Sequence, residues 1–339
     1  MKRAIWYSAF TVALAFLLPL LLTPARFGAV PEAEPEVSGK APAEAAEAGP
    51  APLDASLILT VHTEDGDRDM AMDEYLLHAL AGEMPADFDS EALKAQAVAL
   101  RSYALYYRER HKATHPEADI CTSPSCCAAW IGDEALHERW GEKYELRREK
   151  LEQAIRDTDG QYLAWQSSPV LAVFHASSAG TTEAGESLGM VLPYLSSVSS
   201  PETPETVSGL NTTVEVSPEE FQACVLGAFP DAKLDGGDPA AWLGPIALNA
   251  TGRVESVEIG GQSVSGLTLR QMFTLRSTDF SLSWDAAGKS FVFRVSGYGH
   301  GMGMSQHGAN LMAKGGADYT EILAHYYPDT VLSTAAEAE

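Results

Sequence analysis

The chain has 339 residues, and 45% of them are hydrophobic, which is enough to bury the core of one large domain or two. Its 47 acidic and 23 basic residues give a formal net charge of −24. Because the sequence offers no basic patch to displace counterions from phosphates, a nucleic-acid-binding function is excluded.

The first 27 residues have the pattern of a membrane anchor. Lys2 and Arg3 precede an uncharged, mostly apolar run from Ala4 to Leu22. A helix of that length rises about 28 Å, close to the thickness of a bilayer's hydrocarbon core. Since basic residues favour the cytoplasmic side, we predict a single-pass cell membrane protein with a cytoplasmic N-terminus and an extracytoplasmic domain. A cleaved signal peptide is the alternative, although its apolar region is usually shorter, about 7–15 residues.

A linker is predicted over residues 28–54, which are rich in Ala, Pro, Glu and Gly and contain no aromatic residue. Such a composition buries too little apolar surface to fold, so the segment should be disordered and extended. The globular domain is then predicted over residues 55–333, followed by a short tail at 334–339.

The globular part opens with a predicted strand at Ser56–Val61 and a helix over residues 73–82. A longer helix is predicted over about 88–112, with Ser90 as its N-cap. One face of this helix is an apolar stripe formed by Leu93, Ala97, Leu100, Ala104 and Tyr107. Another face carries three basic residues, Lys94, Arg101 and Arg108, and such a stripe usually indicates a solvent-exposed surface.

Further elements are interspersed along the rest of the chain. A helix is predicted at about 134–157, and a β-hairpin with strands at 161–165 and 170–175 around residues 167–169. Strands follow near 210–216, 246–250, 253–259 and 291–297, and helices near 218–227, 268–274, 305–314 and 319–326. Since there are no regular βαβ repeats, the predicted class is α+β, with mixed helices and antiparallel strands.

Glu83 is the first candidate for chemistry. Pro85 forbids continuation of the preceding helix and pushes Met84 out of helical geometry. Glu83 should therefore lie near a helix C-terminus, among unpaired carbonyls. A partly desolvated carboxyl in that position would have a raised pKa and could serve as a general acid. The alternative is an ordinary solvated loop acid.

Three of the four cysteines, Cys121, Cys126 and Cys127, are clustered in a segment that begins six residues after His115. A set of His115, Cys121, Cys126 and Cys127 suits tetrahedral zinc, and the intervening Pro and Ser residues suit a tight loop. A disulfide is the alternative, although adjacent Cys126 and Cys127 pair poorly with each other. Cys224, on an apolar helix face, is predicted to be a buried thiol.

Two later loops combine histidine with small residues. His175 ends a predicted strand and is followed by hydroxyl residues that suit a polyol ligand, namely Ser177, Ser178 and Thr181. An ordinary Ser/Thr turn is the alternative. Glycines at 297, 299, 301 and 303 surround His300 and permit close backbone approach, and Ser305 is predicted as a helix N-cap. A zinc amidase using His175, His300 and His307 is a weaker interpretation, since the spacing does not match that motif.

Three blocks of the sequence resemble the stage II sporulation protein D (SpoIID) and amidase-enhancer family, in the family's order and over about residues 55–332. They are Tyr75–Pro85 with Glu91–Tyr103, then Phe174–Thr182, then Gly297–Ala309 with His325–Pro328. The sequence departs from the family at Ala179, where glycine is usual, and at Tyr298, where tryptophan is common. The resemblance implies an α+β domain built around a glycan-binding cleft.

The resemblance also implies an activity and its residues. The family acts as a peptidoglycan lytic transglycosylase, cleaving MurNAc-β-1,4-GlcNAc bonds of denuded glycan strands and leaving 1,6-anhydro-MurNAc. Glu83 matches the family's catalytic glutamate, as acid and then base. The implied substrate-binding residues are Lys94, Arg101, Tyr103, His175, Ser177, Ser178, Thr181, His300, Ser305 and Gln306.

Further expectations concern cofactor, partners and biology. The resemblance implies a zinc ion with a structural role, because clostridial members of the family carry zinc at positions that match His115, Cys121, Cys126 and Cys127. The implied partners are the amidase/endopeptidase SpoIIP and the membrane protein SpoIIM, during engulfment at the septal or engulfing mother-cell membrane. A non-catalytic glycan-binding enhancer of a cell-wall amidase is the alternative function.

Overall fold

The computed structural model describes residues 52–335 of the chain. In chain order the helices are α1 Leu53–Ser56, α2 Met72–Glu83, α3 Ser90–Arg110, α4 Asp133–Trp140, α5 Tyr144–Arg156, α6 Pro218–Ala228, α7 Gly266–Met272, α8 Gln306–Lys314 and α9 Tyr319–Tyr326. The strands are β1 Ile58–Thr63, β2 Gly66–Ala71, β3 Ile120–Cys121, β4 Gln161–Trp165, β5 Ser168–Pro169, β6 Phe174–His175, β7 Asn211–Val216, β8 Leu243–Leu248, β9 Val254–Ile259, β10 Gln262–Ser265, β11 Phe280–Asp285, β12 Ser290–Ser296, β13 Met304–Ser305 and β14 Val331–Thr334.

The mixture of helices and small sheets confirms the α+β class. The strands form sheets of two or three members, in the orders β2-β1-β3, β10-β9-β8, β11-β12-β7, β13-β6 and β14-β4-β5. Most strand pairs are antiparallel, but β1–β3 and β13–β6 are parallel. The predicted glycan-binding cleft is not established by this architecture and stays a prediction.

The prediction of a single-pass membrane protein has to be corrected. The predicted anchor falls on residues that lie outside the described part of the chain. Within residues 52–335, no helix combines the length and the apolar composition that a membrane crossing requires. We therefore do not retain the membrane localisation.

The large core is built around α3, as its apolar stripe predicts. Leu93, Ala97, Leu100 and Ala104 are all fully buried there. The helix packs against α2, α5, α8, α9 and β4. Its N-cap is Asp89, whose side chain accepts a hydrogen bond from the Glu91 amide, so the cap lies one residue before the predicted Ser90.

The basic face of α3 is not a solvated surface along its whole length. Arg101 is completely buried, where its guanidinium bonds Asp54 through Nε at 2.8 Å and Nη2 at 2.5 Å. Its Nη1 donates to the Gln161 carbonyl at 2.8 Å. The partner Asp54 lies in α1, so the folded part of the chain begins before residue 55.

A second core lies between the sheets β11-β12-β7 and β10-β9-β8. Stacked aromatic side chains fill it, with Phe221 and Phe291 ring centroids 3.9 Å apart and Phe221 and Phe273 at 5.2 Å. The chain enters and leaves this second core at neighbouring points, since the Gly297 amide donates to the Leu210 carbonyl at 2.8 Å. We call residues 211–296 the inserted lobe.

Two sequence predictions of elements differ from the structure. The predicted helix at 134–157 is two helices, because the chain bends at Gly141, whose φ is +52°. The predicted hairpin is limited to β4, the two residues of β5 and one further bond from the Val170 amide to the Leu163 carbonyl at 3.1 Å. Beyond it the chain makes local bonds, from the Ala172 amide to the Val170 carbonyl and from the Val173 amide to the Leu171 carbonyl.

Candidate functional site

Glu83 is the last residue of α2, as predicted. Met84 has extended geometry, with φ −127° and ψ 138°, which ends the helix before Pro85. The Glu83 side chain is half-buried. Its Oε1 accepts a hydrogen bond from the Ala129 amide at 2.5 Å, and its Oε2 accepts one from Gln306 Nε2 at 3.3 Å. Two segments that are distant in sequence therefore meet on one carboxyl group.

The pKa of Glu83 is raised above its ordinary value of 4.5, which confirms the predicted direction. Burial is the main cause, because it penalises the charged form. The hydrogen bonds from Ala129 and Gln306 oppose the shift, since they favour the carboxylate. Of the two causes expected from the sequence, partial desolvation and the helix-end carbonyls, desolvation is the one that raises the pKa.

The loop that supplies Ala129 is pressed tightly against α2. A Cβ at Gly82 would lie 2.8 Å from the carbonyl carbon of Ala129, so only glycine fits there. The His78 ring donates from Nδ1 to the Ile131 carbonyl at 2.7 Å, and the Ile131 amide returns a bond to the His78 carbonyl at 3.2 Å. These contacts fix the position of the Ala129 amide on Glu83.

The same loop begins at a cluster of four potential metal ligands. One ligand atom from each of His115, Cys121, Cys126 and Cys127 lies within 4.8 Å of all the others. All four cysteines of the chain are free of disulfides. The grouping therefore confirms a site that could hold a metal and is compatible with the predicted ligand set.

The surroundings of the cluster suit a metal held by thiolates. His115 donates from Nδ1 to the Ala118 carbonyl at 3.1 Å, which leaves its Nε2 lone pair directed at Cys127 Sγ, 3.3 Å away. Lys112 Nζ lies 3.6 Å from the same sulfur. A hydrogen bond from Cys127 is the main reason that the pKa of Cys121 falls to about 5.

The second predicted constellation, around His175, is a buried hydrogen-bond network. His175 donates from Nδ1 to the Met302 carbonyl at 3.0 Å, so its Nε2 accepts from Ser178 Oγ at 2.6 Å. Burial lowers the pKa of His175 well below its ordinary value, so the ring is neutral. Glu202 Oε1 accepts from the Ser178 amide at 2.9 Å and also from the Ser305 hydroxyl.

Ser305 serves as the N-cap of α8, as predicted, with its Oγ accepting from the Gly308 amide at 3.2 Å. The next residue, Gln306, is the one that reaches Glu83. The buried network thereby fixes the start of the helix that supplies one of the two Glu83 contacts.

The structure places the remaining predicted substrate residues in different surroundings. Arg101, His175, Ser178 and Ser305 are buried and hydrogen-bonded to protein partners. Ser177 is also buried, with its backbone paired to Tyr298. A direct contact of these five side chains with sugar stays a prediction.

Of the other predicted substrate residues, Gln306 is buried and contacts Glu83, whereas the rest are half-buried or exposed and do not. Lys94 pairs with Glu91 at 2.8 Å and Asp157 at 3.0 Å. The Tyr103 hydroxyl accepts from Lys112 at 2.8 Å, beside the cysteine cluster. Thr181 is exposed and His300 is half-buried. Only Gln306 among them is brought to the carboxyl group.

Two contributors to the site have no recognisable sequence pattern. Ala129 acts through its backbone amide, which any residue type supplies. Glu202 lies in a stretch of Ser, Pro, Thr and Glu that reads as an ordinary loop. The histidines of the weaker amidase interpretation, His175, His300 and His307, do not form a potential metal group among the described residues.

Comparison with known proteins agrees with this arrangement. The family model described as "SpoIID: Stage II sporulation protein" matches residues 64–165, which include Glu83 and the cysteine cluster. "Stage II sporulation protein D" of Bacillus subtilis (strain 168) is 33% identical over 267 residues, 78% of this chain and 75% of the relative. The protein of the same name from Bacillus amyloliquefaciens is also 33% identical, over 78% of this chain and 74% of its own.

A more distant relative is the "Amidase enhancer" of Bacillus subtilis (strain 168), 24% identical over 75% of this chain and 40% of its own length. Identity of 33% across three quarters of a full-length relative, together with the matching family model, is decisive. The chain belongs to the stage II sporulation protein D family.

Proposed function

We propose that the protein is a peptidoglycan lytic transglycosylase of sporulation, with Glu83 as its general acid and then base. The substrate would be a denuded glycan strand, cut between MurNAc and GlcNAc with formation of 1,6-anhydro-MurNAc. The observation that carries this proposal is the half-buried Glu83 carboxyl, whose pKa is raised and which two separate segments hold in place.

The two contacts favour one oxygen of Glu83 as the site of the proton. The Ala129 amide can only donate, so Oε1 is kept as an acceptor. The Gln306 side chain can donate through its nitrogen or, after rotation of the amide, accept through its oxygen. Oε2 can therefore carry the proton while Gln306 accepts, and can be ionised while Gln306 donates.

This arrangement suits a reaction in which the same carboxyl first gives and then takes a proton. Protonated Oε2 would donate to the glycosidic oxygen as the bond to the anomeric carbon breaks. The ionised carboxylate would then remove the proton from the sugar's own C6 hydroxyl as that oxygen attacks the anomeric carbon. No water has to be activated in this sequence.

The environment of Glu83 favours such a one-carboxyl reaction over ordinary glycoside hydrolysis. A hydrolase uses two carboxyl groups, about 5–9.5 Å apart. Among the described residues, no second carboxylate contributes to the pKa of Glu83. The sugar's C6 hydroxyl is an intramolecular nucleophile, so the reaction does not need a second carboxylate.

The proposed cofactor is a structural zinc ion at His115, Cys121, Cys126 and Cys127. Three thiols and one imidazole are a donor set typical of tetrahedral zinc. Zinc would stabilise the thiolates and fix the conformation of the loop. Since Cys127 is two residues from Ala129, the cluster anchors the amide that bonds Glu83. The proposed partners are SpoIIP, which would supply peptide-free strands, and SpoIIM.

The alternative is a non-catalytic glycan-binding enhancer of an amidase. The relative named "Amidase enhancer" favours it. In that case Glu83 would be dispensable, and no sugar product would be released by the protein alone.

Product analysis by mass spectrometry, with peptide-free glycan strands as substrate, tests the proposal. We expect anhydro-sugar ends from the wild type and a loss of about 10²–10⁴-fold in rate for Glu83→Gln, the contribution typical of general acid–base catalysis. The matched control is Glu74→Gln, in the exposed first turn of the same helix, where the carboxylate lies 4.0 Å from Arg68. Wild-type turnover by Glu83→Gln, or products without anhydro ends, would refute the mechanism.

A further inference from the structure

Two arginines of the inserted lobe, Arg270 and Arg276, lack the carboxylate partners that other enclosed arginines have. Both are half-buried. Every other buried or half-buried arginine in the described residues has a carboxylate oxygen within 4.0 Å; these are Arg101, Arg147, Arg148 and Arg253. Enclosed charges are normally paired because desolvation is costly. The two guanidinium groups therefore have unused capacity for an anion.

The hydrogen-bonding of these groups shows which nitrogens are free. Arg270 donates only from Nε, to the Leu275 carbonyl at 3.3 Å, so within residues 52–335 its two terminal nitrogens make no bond. Arg276 donates from Nη1 to the Gly209 carbonyl at 2.8 Å. Its Nε is buried without a partner, and its Nη2 is unbonded in the described part of the chain. Free terminal nitrogens in a planar fork suit a carboxylate.

Both arginines border the glycine-rich loop. The Arg276 guanidinium lies 4.4 Å from the centre of the Tyr298 ring, and the Gly299 amide donates to the Arg276 carbonyl at 2.9 Å. The Arg270 side chain reaches the same segment, because its Nε donates to the carbonyl of Leu275, the residue before Arg276. The two cations are thus neighbours beside this loop.

The same surface leads to Glu83. The Gly299 amide bonds the Arg276 carbonyl, and Gly299 packs against Ala176, since an added Cβ would lie 3.5 Å from the Ala176 nitrogen. The Ala176 carbonyl accepts from the His307 amide at 3.0 Å, and His307 directly follows Gln306, whose amide contacts Glu83 Oε2 at 3.3 Å. Burial is the main cause that lowers the pKa of His300 to about 4, and the Arg270 guanidinium lowers it further. The cations therefore lie along the loop that leads into the reactive carboxyl group.

We propose that Arg270 and Arg276 form a subsite for a carboxylate of the glycan strand, the lactyl group that a peptide-free MurNAc carries. This inference rests on the proposed function and names how its substrate is recognised. A chain with a formal charge of −24 repels an anionic strand at long range, so a local cationic site has to supply the attraction.

The experiment measures binding without turnover. The full-length protein carrying Glu83→Gln is titrated with peptide-free strands and with the same strands after chemical reduction of their lactyl carboxylates to alcohols. We expect the reduced strands to bind about tenfold to a hundredfold more weakly, the loss typical of a charged hydrogen bond. Adding Arg276→Gln should weaken the binding of native strands by a similar factor and leave the binding of reduced strands unchanged.

The control is Arg294→Gln, an exposed arginine on β12 of the same lobe, which should bind both strands as before. If Arg276→Gln fails to fold because the Gly209 contact is lost, Arg270→Gln gives the same test without removing that bond. The subsite would be overturned if native and reduced strands bound the Glu83→Gln protein equally well, or if the arginine substitution weakened the binding of both strands equally. Either result would leave catalysis by Glu83 intact. Failure to bind either strand would overturn the glycan function as well, and anhydro-product release tests that separately.

Discussion

Replacing Arg101 by alanine should destabilise the fold strongly without acting on the glycan. The guanidinium has no exposed surface, and it holds Asp54 through two bonds of 2.8 and 2.5 Å. Burial raises the pKa of Asp54, and Arg101 is the main influence that opposes the shift. Removing one partner of a buried ion pair typically costs about 3–5 kcal/mol, because the other charge is left desolvated.

Urea denaturation measures this effect. With a slope of about 3 kcal/mol per molar for a chain of this size, the midpoint should fall by roughly 1–2 M. The matched control is Arg156→Ala, since Arg156 makes an exposed pair with Glu149 at 2.6 Å and exposed pairs contribute about 0–1 kcal/mol. An unchanged midpoint for Arg101→Ala, combined with weaker glycan binding, would refute the burial argument and restore Arg101 as a substrate ligand.

Three further predictions concern the site and its supports. Because the folded pKa of Glu83 lies above its ordinary value of 4.5, ionisation costs stability as the pH rises through that range. Glu83→Gln should therefore resist urea better than the wild type at pH 8 and equally well at pH 4, and a lower midpoint at pH 8 would contradict the assigned burial. Gly303→Ala should lower the free energy of unfolding by more than the roughly 1–2 kcal/mol that a left-handed backbone costs, since its Cβ would lie 1.9 Å from the Val173 carbonyl oxygen. The control Gly316→Ala has open space around it and should show only the backbone cost. Thermal melts measure both. Removing metal with a chelator should lower the melting temperature and release one zinc per chain in metal analysis, and a Cys224→Ser variant should still bind the metal, because Cys224 lies outside the cluster.

Local pattern was sufficient for the long helix α3 but not for the partners of its polar side chains. The stripe on α3 has helical spacing, and its first four members are buried as that spacing requires. Arg101 lies on the same helix at a position that resembles a solvated face. Its burial depends on Asp54, 47 residues earlier, in a segment whose composition predicts disorder. No local pattern records such a pairing.

The candidate site divides in the same way. Glu83 could be predicted because Pro85 ends the helix beside it, and the cysteines because their types and spacing suit a metal. The segments that contact Glu83 could not be predicted, since the Ala129 loop and Gln306 are distant from it in sequence. The apolar run at 170–173 resembles a strand, but the Ala172 and Val173 amides bond carbonyls two residues earlier, a local geometry that hydrophobic pattern does not distinguish.

The inserted lobe has its own consequence for how the molecule can evolve. Its ends are joined by the bond from the Gly297 amide to the Leu210 carbonyl, and it has a separate aromatic core. Outside the lobe, β6 and β13 pair in parallel, and β13 leads directly into Gln306. Loop lengths and surface charges within the lobe can therefore change without altering the pairing that positions Gln306 beside Glu83.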